Sequence, residues 1–335
     1  MADQTIGKAQ AAIHMDIGEP TGMKLFTGNA NPELSERIAE SLGTTLGQIR
    51  CSRFSDGEIR VQIEESTRGD DVFIIQPTCA PVNDNLMELL IMLDAFRRAS
   101  ARRISVVMPY YGYARQDKKV KPREPVSARL VANLITNAGA DRIMCVDLHA
   151  DQIQGFFDLP VDHLYAGPLI GQYLIEHEMH LRDTVVVSPD VAGVPRARRL
   201  AEQLGAPIAI IAKRRPEPNK VDIMEIIGEV EGKTCIMIDD MIDTAGSIVQ
   251  GADALFHRGA VDVVACCTHG VLSGDAPKRL ESSGISLVVC TDTVPIDRTK
   301  RFPKLTVLPA APLLAEAIRR VHLDMSVSSL FDRWG

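Results

Sequence analysis

Short apolar runs rich in Val and Ile recur along this chain, each followed by a segment of helical period, and that alternation leaves few folds open. Parallel strands cannot be joined by a tight turn and need a long crossover, which a helix supplies. The pattern therefore predicts βα units around largely parallel sheets. In the first half, "DVFIIQP" reads as a strand and "NDNLMELLIMLDAFRRASA" as a helix with Leu86, Leu89, Leu90, Leu93 and Phe96 on one face. "RISVVMPYY" is the next strand. "PVSARLVANLITNAGA" is a helix whose buried stripe is Leu130, Val131, Leu134 and Ile135, with Gly139 as its stop signal, and "DRIMCVD" is a further strand.

The second half repeats the scheme through "DTVVVSP", a helix over "RARRLAEQLGA", then "PIAIIAK", "KTCIMID", a helix from about Ser247 to Arg258, "VDVVACC" and "ISLVVCT". Ile248, Val249, Ala252, Leu255 and Phe256 form the core face of the helix that Gly259 ends. The expected fold is α/β, two tandem domains, each a mainly parallel sheet flanked by helices. Their boundary falls near residues 160 to 170, dividing a leader (1–22) from a first domain (23–166) and a second (167–335). At 335 residues and 45% hydrophobic content, the chain can bury two cores without a metal or disulfide staple.

A net charge of −7 and an aromatic fraction of 4% argue against a general nucleic-acid surface and favour a small-molecule substrate. The seven cysteines lie mostly inside apolar runs with no CxxC spacing, and read as reduced core residues. Residues 1 to 22 contain acids and no continuous apolar stretch, unlike a signal or transit peptide. No later run reaches the length of a membrane span, so the expected location is cytoplasmic, with an unstructured leader.

The segment that carries chemistry is "IMIDDMIDTAGS", residues 236 to 247. An apolar strand breaks into Asp239, Asp240 and Asp243 and closes on Thr244-Ala245-Gly246-Ser247 at the start of a helix. Carboxylates accept hydrogen bonds from a sugar diol, while a loop of small residues lets backbone N–H groups face an anion at a helix N-terminus. Together they fit a sugar phosphate. A solvated acidic turn with Asp243 or Thr244 as N-cap is the plain alternative from spacing alone.

This stretch resembles the diphosphate-ribose motif of the phosphoribosyl family: four apolar residues, two acids, two apolar residues, then Asp-Thr-Gly/Ala-Gly-Ser/Thr. The motif occurs both in phosphoribosyltransferases, which consume phosphoribosyl diphosphate (PRPP), and in ribose-phosphate pyrophosphokinases, which make it. "DLHADQIQGFFDLPVD", residues 147 to 162, resembles the signature of the pyrophosphokinases. "RFSDGEIRVQI", "CAPVNDNLMELL", "PYYGYARQDKK", "VVVSPDVAG" and "IAKRRPEPN" are similar to segments of the same family, in its order.

The resemblance implies transfer of the diphosphoryl group of ATP to the C1 hydroxyl of ribose 5-phosphate, with Mg²⁺ as cofactor. It places Phe54, Asp56, Glu58, Arg115, Gln116 and Asp117 at ATP. Asp239, Asp240, Asp243, Thr244, Ala245, Gly246 and Ser247, with Arg215, are placed at ribose 5-phosphate. Lys213 and Arg215 match the Lys-x-Arg pair of a catalytic loop, with Arg214 as spacer. His149 and Asp190 are the implied metal ligands, with Asp147, Asp158 and Asp162 ranked below them. The first domain thus takes the ATP segments and the second the ribose 5-phosphate site and catalytic loop, its last helix packing back on the first. A homohexamer built from dimers, ATP sites completed across a subunit boundary, and an allosteric site for phosphate and ADP are implied too, with no nucleic-acid or membrane partner.

Overall fold

A computed structural model describes residues 22–214 and 223–331, with the backbone alone at 213, 214 and 223. The first sheet is built from β1 (Met23–Thr27), β4 (Asp71–Ile75), β5 (Arg103–Met108), β6 (Arg142–Val146) and β7 (Val161–Leu164), all parallel and in that spatial order. Helices α1 (Pro32–Leu42), α2 (Val82–Arg98) and α3 (Ser127–Ala138) connect them. A two-stranded antiparallel hairpin, β2 (Ile49–Arg53) and β3 (Ile59–Ile63), stands between α1 and β4. Every residue of β4 is buried, as expected of a strand covered on both faces.

Helix α4 (Gly167–Glu176) leads into the second sheet. It contains β8 (Thr184–Ser188), β9 (Ile208–Arg214), β10 (Ile223–Ile227), β11 (Thr234–Ile242), β12 (Asp262–Gly270), β13 (Leu287–Thr291) and β14 (Leu305–Leu308). The spatial order is β10-β9-β8-β11-β12-β13-β14, parallel throughout except for the edge strand β10. Its helices are α5 (Val194–Leu204), α6 (Gly246–His257), α7 (Ala276–Ser282) and α8 (Ala311–His322). The α/β class read from the periodicity holds, with two tandem sheets.

The stripe expected on α3 is corrected. Val131 and Ile135 are buried as expected, but Leu130 and Leu134 are 58% and 41% exposed, and Ala128 and Ala132 complete the buried face in their place. Both sets have helical spacing, so apolar size set the stripe one residue too far round the helix. The small alanines let this helix lie close to its neighbours, which a bulkier leucine face would prevent.

One apolar cluster spans both sheets: Phe73, Val107 and Met144 of the first pack in the same core as Val186, Ile236 and Val264 of the second, with Ile170 and Leu174 of α4 among them. Helix α8 follows the last strand of the second sheet yet packs on α1, its Leu314, Ile318 and Val321 sharing that core with Leu34 and Ile38. All seven cysteines are free, six of them buried. Among the described residues, no helix is long and apolar enough to cross a membrane.

Candidate functional site

In open parallel sheets ligands collect at the carboxyl ends of the strands, where loops diverge and helix N-termini point inward. Here the two sheets bring such ends together. Strand β6 stops at Val146 and releases Asp147 and His149, while β11 runs to Ile242, longer than "KTCIMID" suggests, so Asp239 and Asp240 are part of the strand itself. His149 Nδ1 lies 2.9 Å from Asp240 Oδ2. Arg115, in the loop after β5, donates to Asp243 at 2.6 Å. Residues assigned to ATP and metal thus touch residues assigned to ribose phosphate, across 91 and 128 positions of sequence.

Asp239 and Asp240 are neighbouring carboxylates that share one guanidinium, Arg196 of α5, at 3.5 and 3.8 Å. Burial raises the Asp239 carboxyl above the ordinary range, and the adjacent Asp240 charge adds to the rise. Burial also acts to raise Asp240, but the hydrogen bond to His149 and the Arg196 charge outweigh it, and Asp240 lies below that range. His149 is raised, first by its hydrogen bond to Asp240 and against a smaller opposing effect of burial. The two neighbouring carboxyls are therefore pushed in opposite directions, Asp239 up and Asp240 down. Asp243 is lowered: burial opposes ionisation, but hydrogen bonds from Ser273 and Arg115 prevail.

The loop that follows leads directly into α6. Ala245 is the N-cap of α6 at φ 62°, ψ 0°, a left-handed conformation, and its methyl group offers no capping acceptor. A β-carbon at Gly246 would meet only Thr244 Oγ1, 3.9 Å away, so open space adjoins the first turn of the helix. Arg279 holds the outside of the loop by donating to the Thr244 carbonyl at 3.0 Å. Uncapped N–H groups at a helix start attract an anion through local dipoles as well as hydrogen bonds.

The other expected residues are distributed differently. Phe54, Asp56 and Glu58 form the tip of the β2–β3 hairpin: Phe54 N–H donates to the Glu58 carbonyl at 2.8 Å, and Asp56 Oδ1 accepts from Glu58 N–H at 3.1 Å around Gly57, φ 97°. This tip projects into solvent, with Phe54 50% exposed. The described contacts of these three residues are local and do not join them to Arg115. Gln116 closes the Tyr113 turn at 3.0 Å, and its carbonyl accepts from Ala128 N–H. Asp117 is buried and accepts from Gln152 Nε2 at 2.7 Å, which commits its carboxylate to the segment after His149.

Asp190 stands exposed beyond β8, with Oδ1 accepting from Gly193 N–H at 2.7 Å. The lower-ranked cation ligands each have protein partners. The buried Asp147 carboxylate accepts from Ala166 N–H at 2.9 Å and Thr268 Oγ1 at 2.6 Å. Asp162 pairs with Arg142 at 2.7 Å and Asp158 with Arg129 at 3.5 Å. Lys213 lies on β9, opposite Met224 of β10, at the same carboxyl edge as Asp190. Arg215 lies outside the described residues.

No cluster of three or more metal-capable side chains occurs among the described residues. Arg196 went unnoticed in the sequence because "RARRLAEQLGA" reads only as a helix. The usable signal was its place in the first turn after a buried strand end, where a charge needs a partner.

The description "N-terminal domain of ribose phosphate pyrophosphokinase" matches residues 23–139, and "Phosphoribosyl synthetase-associated domain" matches residues 215–332. A ribose-phosphate pyrophosphokinase of Clostridium tetani is 57% identical over 94% of this chain and 99% of its own length. One from Caldanaerobacter subterraneus is 58% identical over 92% and 98%. The crystal structure of phosphoribosylpyrophosphate synthetase from Mycobacterium smegmatis is similar with a TM-score of 0.86 at 50% identity, over 90% of this chain and 99% of that one.

Proposed function

From the premise that the chain belongs to the ribose-phosphate pyrophosphokinase family, we propose how its residues divide the work of that reaction. The enzyme transfers the β,γ-diphosphoryl group of ATP to the C1 hydroxyl of ribose 5-phosphate, releasing AMP and PRPP. The C1 oxygen attacks the β-phosphorus, the bond from β-phosphorus to the α,β-bridging oxygen breaks, and the hydroxyl proton leaves to solvent or substrate phosphate. The observation that supports the role assignment is the pair of contacts His149–Asp240 and Arg115–Asp243, between residues read as metal and ATP groups and residues read as the ribose site.

Asp239 and Asp240 hold the ribose hydroxyls, and residues 243–247 wrap the 5-phosphate at the start of α6. Arg196 keeps the two carboxylates together before the sugar arrives. In Asp240→Asn one charge-assisted hydrogen bond to the diol is weakened. The expected result is a ribose 5-phosphate Kd raised about ten- to hundredfold by calorimetry. Unchanged binding would remove Asp240 from the sugar site.

Mg²⁺ fits His149 and Asp190, and when bound would neutralise charge on the phosphate oxygens. Protein freed of divalent cations with EDTA is expected to form no PRPP and to recover turnover on addition of Mg²⁺. Full turnover in excess chelator would exclude the cation requirement.

The exposed hairpin tip supports a further part of the reading: Phe54, Asp56 and Glu58 serve an adenine site completed by a second subunit, within a homohexamer built from dimers. We also assign the ATP segments to residues 23–166, the ribose and loop segments to 167–335, an allosteric site to phosphate and ADP, and the cytoplasm as the place of action. The leader, residues 1–22, lies almost wholly outside the described residues.

A further inference from the structure

Below the site, one buried side chain joins the end of β12 to the turn after β6 and the loop after β5. His269 sits near the end of β12, paired with Met241 of β11 and Thr291 of β13, and is 2% exposed. Its Nε2 lies 3.1 Å from the Val146 carbonyl and 3.2 Å from the Asp147 carbonyl of the first sheet. Carbonyl oxygens only accept, so Nε2 carries the hydrogen and Nδ1 presents its lone pair to Thr293 Oγ1 at 2.9 Å. The ring also stands edge-on to Tyr110, centroids 5.0 Å apart, in the loop that continues to Arg115.

The preceding residue holds the same turn by another bond, Thr268 Oγ1 donating to the Asp147 carboxylate at 2.6 Å. Consecutive strand residues ordinarily face opposite sides. A register shift between Cys266 and His269 in the β12–β13 pairing interrupts that alternation, and such irregularities re-aim side chains near functional sites. Asp147 itself is held at φ 38°, a left-handed conformation that its surroundings must enforce.

We propose that His269 is a positioning residue for diphosphoryl transfer. It ties the Val146–Asp147 turn and Tyr110 of the first sheet to β12 of the second, and so sets the separation of His149 and Arg115 from Asp239 and Asp240. The inference rests on the role assignment above. Phenylalanine in its place keeps the ring and its packing against Tyr110 but removes the bonds to both carbonyls and to Thr293. The His149 turn is then free to shift, and displacement by about 1 Å costs roughly a hundredfold in rate.

The test compares His269→Phe and Thr293→Val with wild type in the full enzyme, measuring kcat, both KM values, ribose 5-phosphate binding by calorimetry, and the thermal midpoint. The positioning role predicts kcat lowered roughly a hundredfold in His269→Phe, a smaller loss in Thr293→Val, and ribose 5-phosphate binding unchanged in both, since the His269 ring bonds to Thr293, Val146 and Asp147 and to no residue assigned to the sugar. A wild-type kcat with only a lowered thermal midpoint overturns the proposal. So does ribose 5-phosphate binding that weakens in step with kcat. Should His269→Phe not fold, Thr293→Val decides alone by the same criteria. Asp240→Asn, run alongside, separates the two readings: unweakened ribose 5-phosphate binding there overturns the ribose assignment and leaves the kcat comparison at His269 standing.

Discussion

Lys213→Ala is expected to lower kcat by a factor on the order of 10³ or more while ribose 5-phosphate binding stays near that of wild type. The transferred phosphorus passes through a loose transition state, with charge spread over its equatorial oxygens and the departing AMP oxygen. The protein has little covalent work to do there, and fixed cations aimed at that charge supply most of the stabilisation. Strand β9 delivers Lys213 to the carboxyl edge of the second sheet, beside β8, whose end carries Asp190. The residues we assign to the sugar, Asp239, Asp240 and the start of α6, are by contrast left alone by the substitution. Single-turnover measurements with saturating ATP and ribose 5-phosphate separate the two effects. Arg215→Ala should lower kcat as Lys213→Ala does and weaken ribose 5-phosphate binding as well, and Arg214→Ala, the spacer, should turn over nearly normally. Near-normal turnover in Lys213→Ala would end the clamp assignment.

Asp71→Ala is expected to cost about 3–5 kcal/mol of stability, because it strands buried partners instead of removing a surface pair. The Asp71 side chain is fully buried. It accepts from Arg103 Nε at 2.8 Å and from the Arg103 terminal nitrogen, and lies 2.7 Å from His322 Nδ1. Arg103 also donates to the Val321 carbonyl at 3.1 Å, so this cluster clasps the end of α8 to the amino ends of β4 and β5. Loss of the carboxylate leaves a largely buried guanidinium beside an unpaired helix end. In thermal unfolding the first transition should fall by about 10 °C. Arg98→Ala, which removes only the exposed pair with Asp94, should leave it in place. An unmoved transition in Asp71→Ala would show that the apolar contacts of α8 with α1 hold the helix without the clasp.

Much of this protein was legible before its structure. Strand and helix succession followed from local burial, because a strand covered on both faces must be apolar throughout, as at β4, and an amphipathic helix must repeat near 3.6 residues. The acids and small residues of 236–247 pointed to a sugar phosphate because few ligands want carboxylates and bare backbone amides side by side. The failures were equally physical. On α3 two apolar stripes overlapped, and only packing chose the one with alanines over the one with Leu130 and Leu134.

What the sequence by itself determined was therefore everything governed by neighbours along the chain: the βα rhythm, the two sheets it builds, and the chemistry of the acidic loop. Tertiary structure alone decided which distant residues meet. His149 with Asp240, Arg115 with Asp243, Arg196 between two carboxylates, and His269 beneath the Val146–Asp147 turn are contacts between different strand ends. Their cause is the shared core that presses the carboxyl edges of two sheets together. No local period records such a contact, since each partner's own neighbours would be satisfied without it.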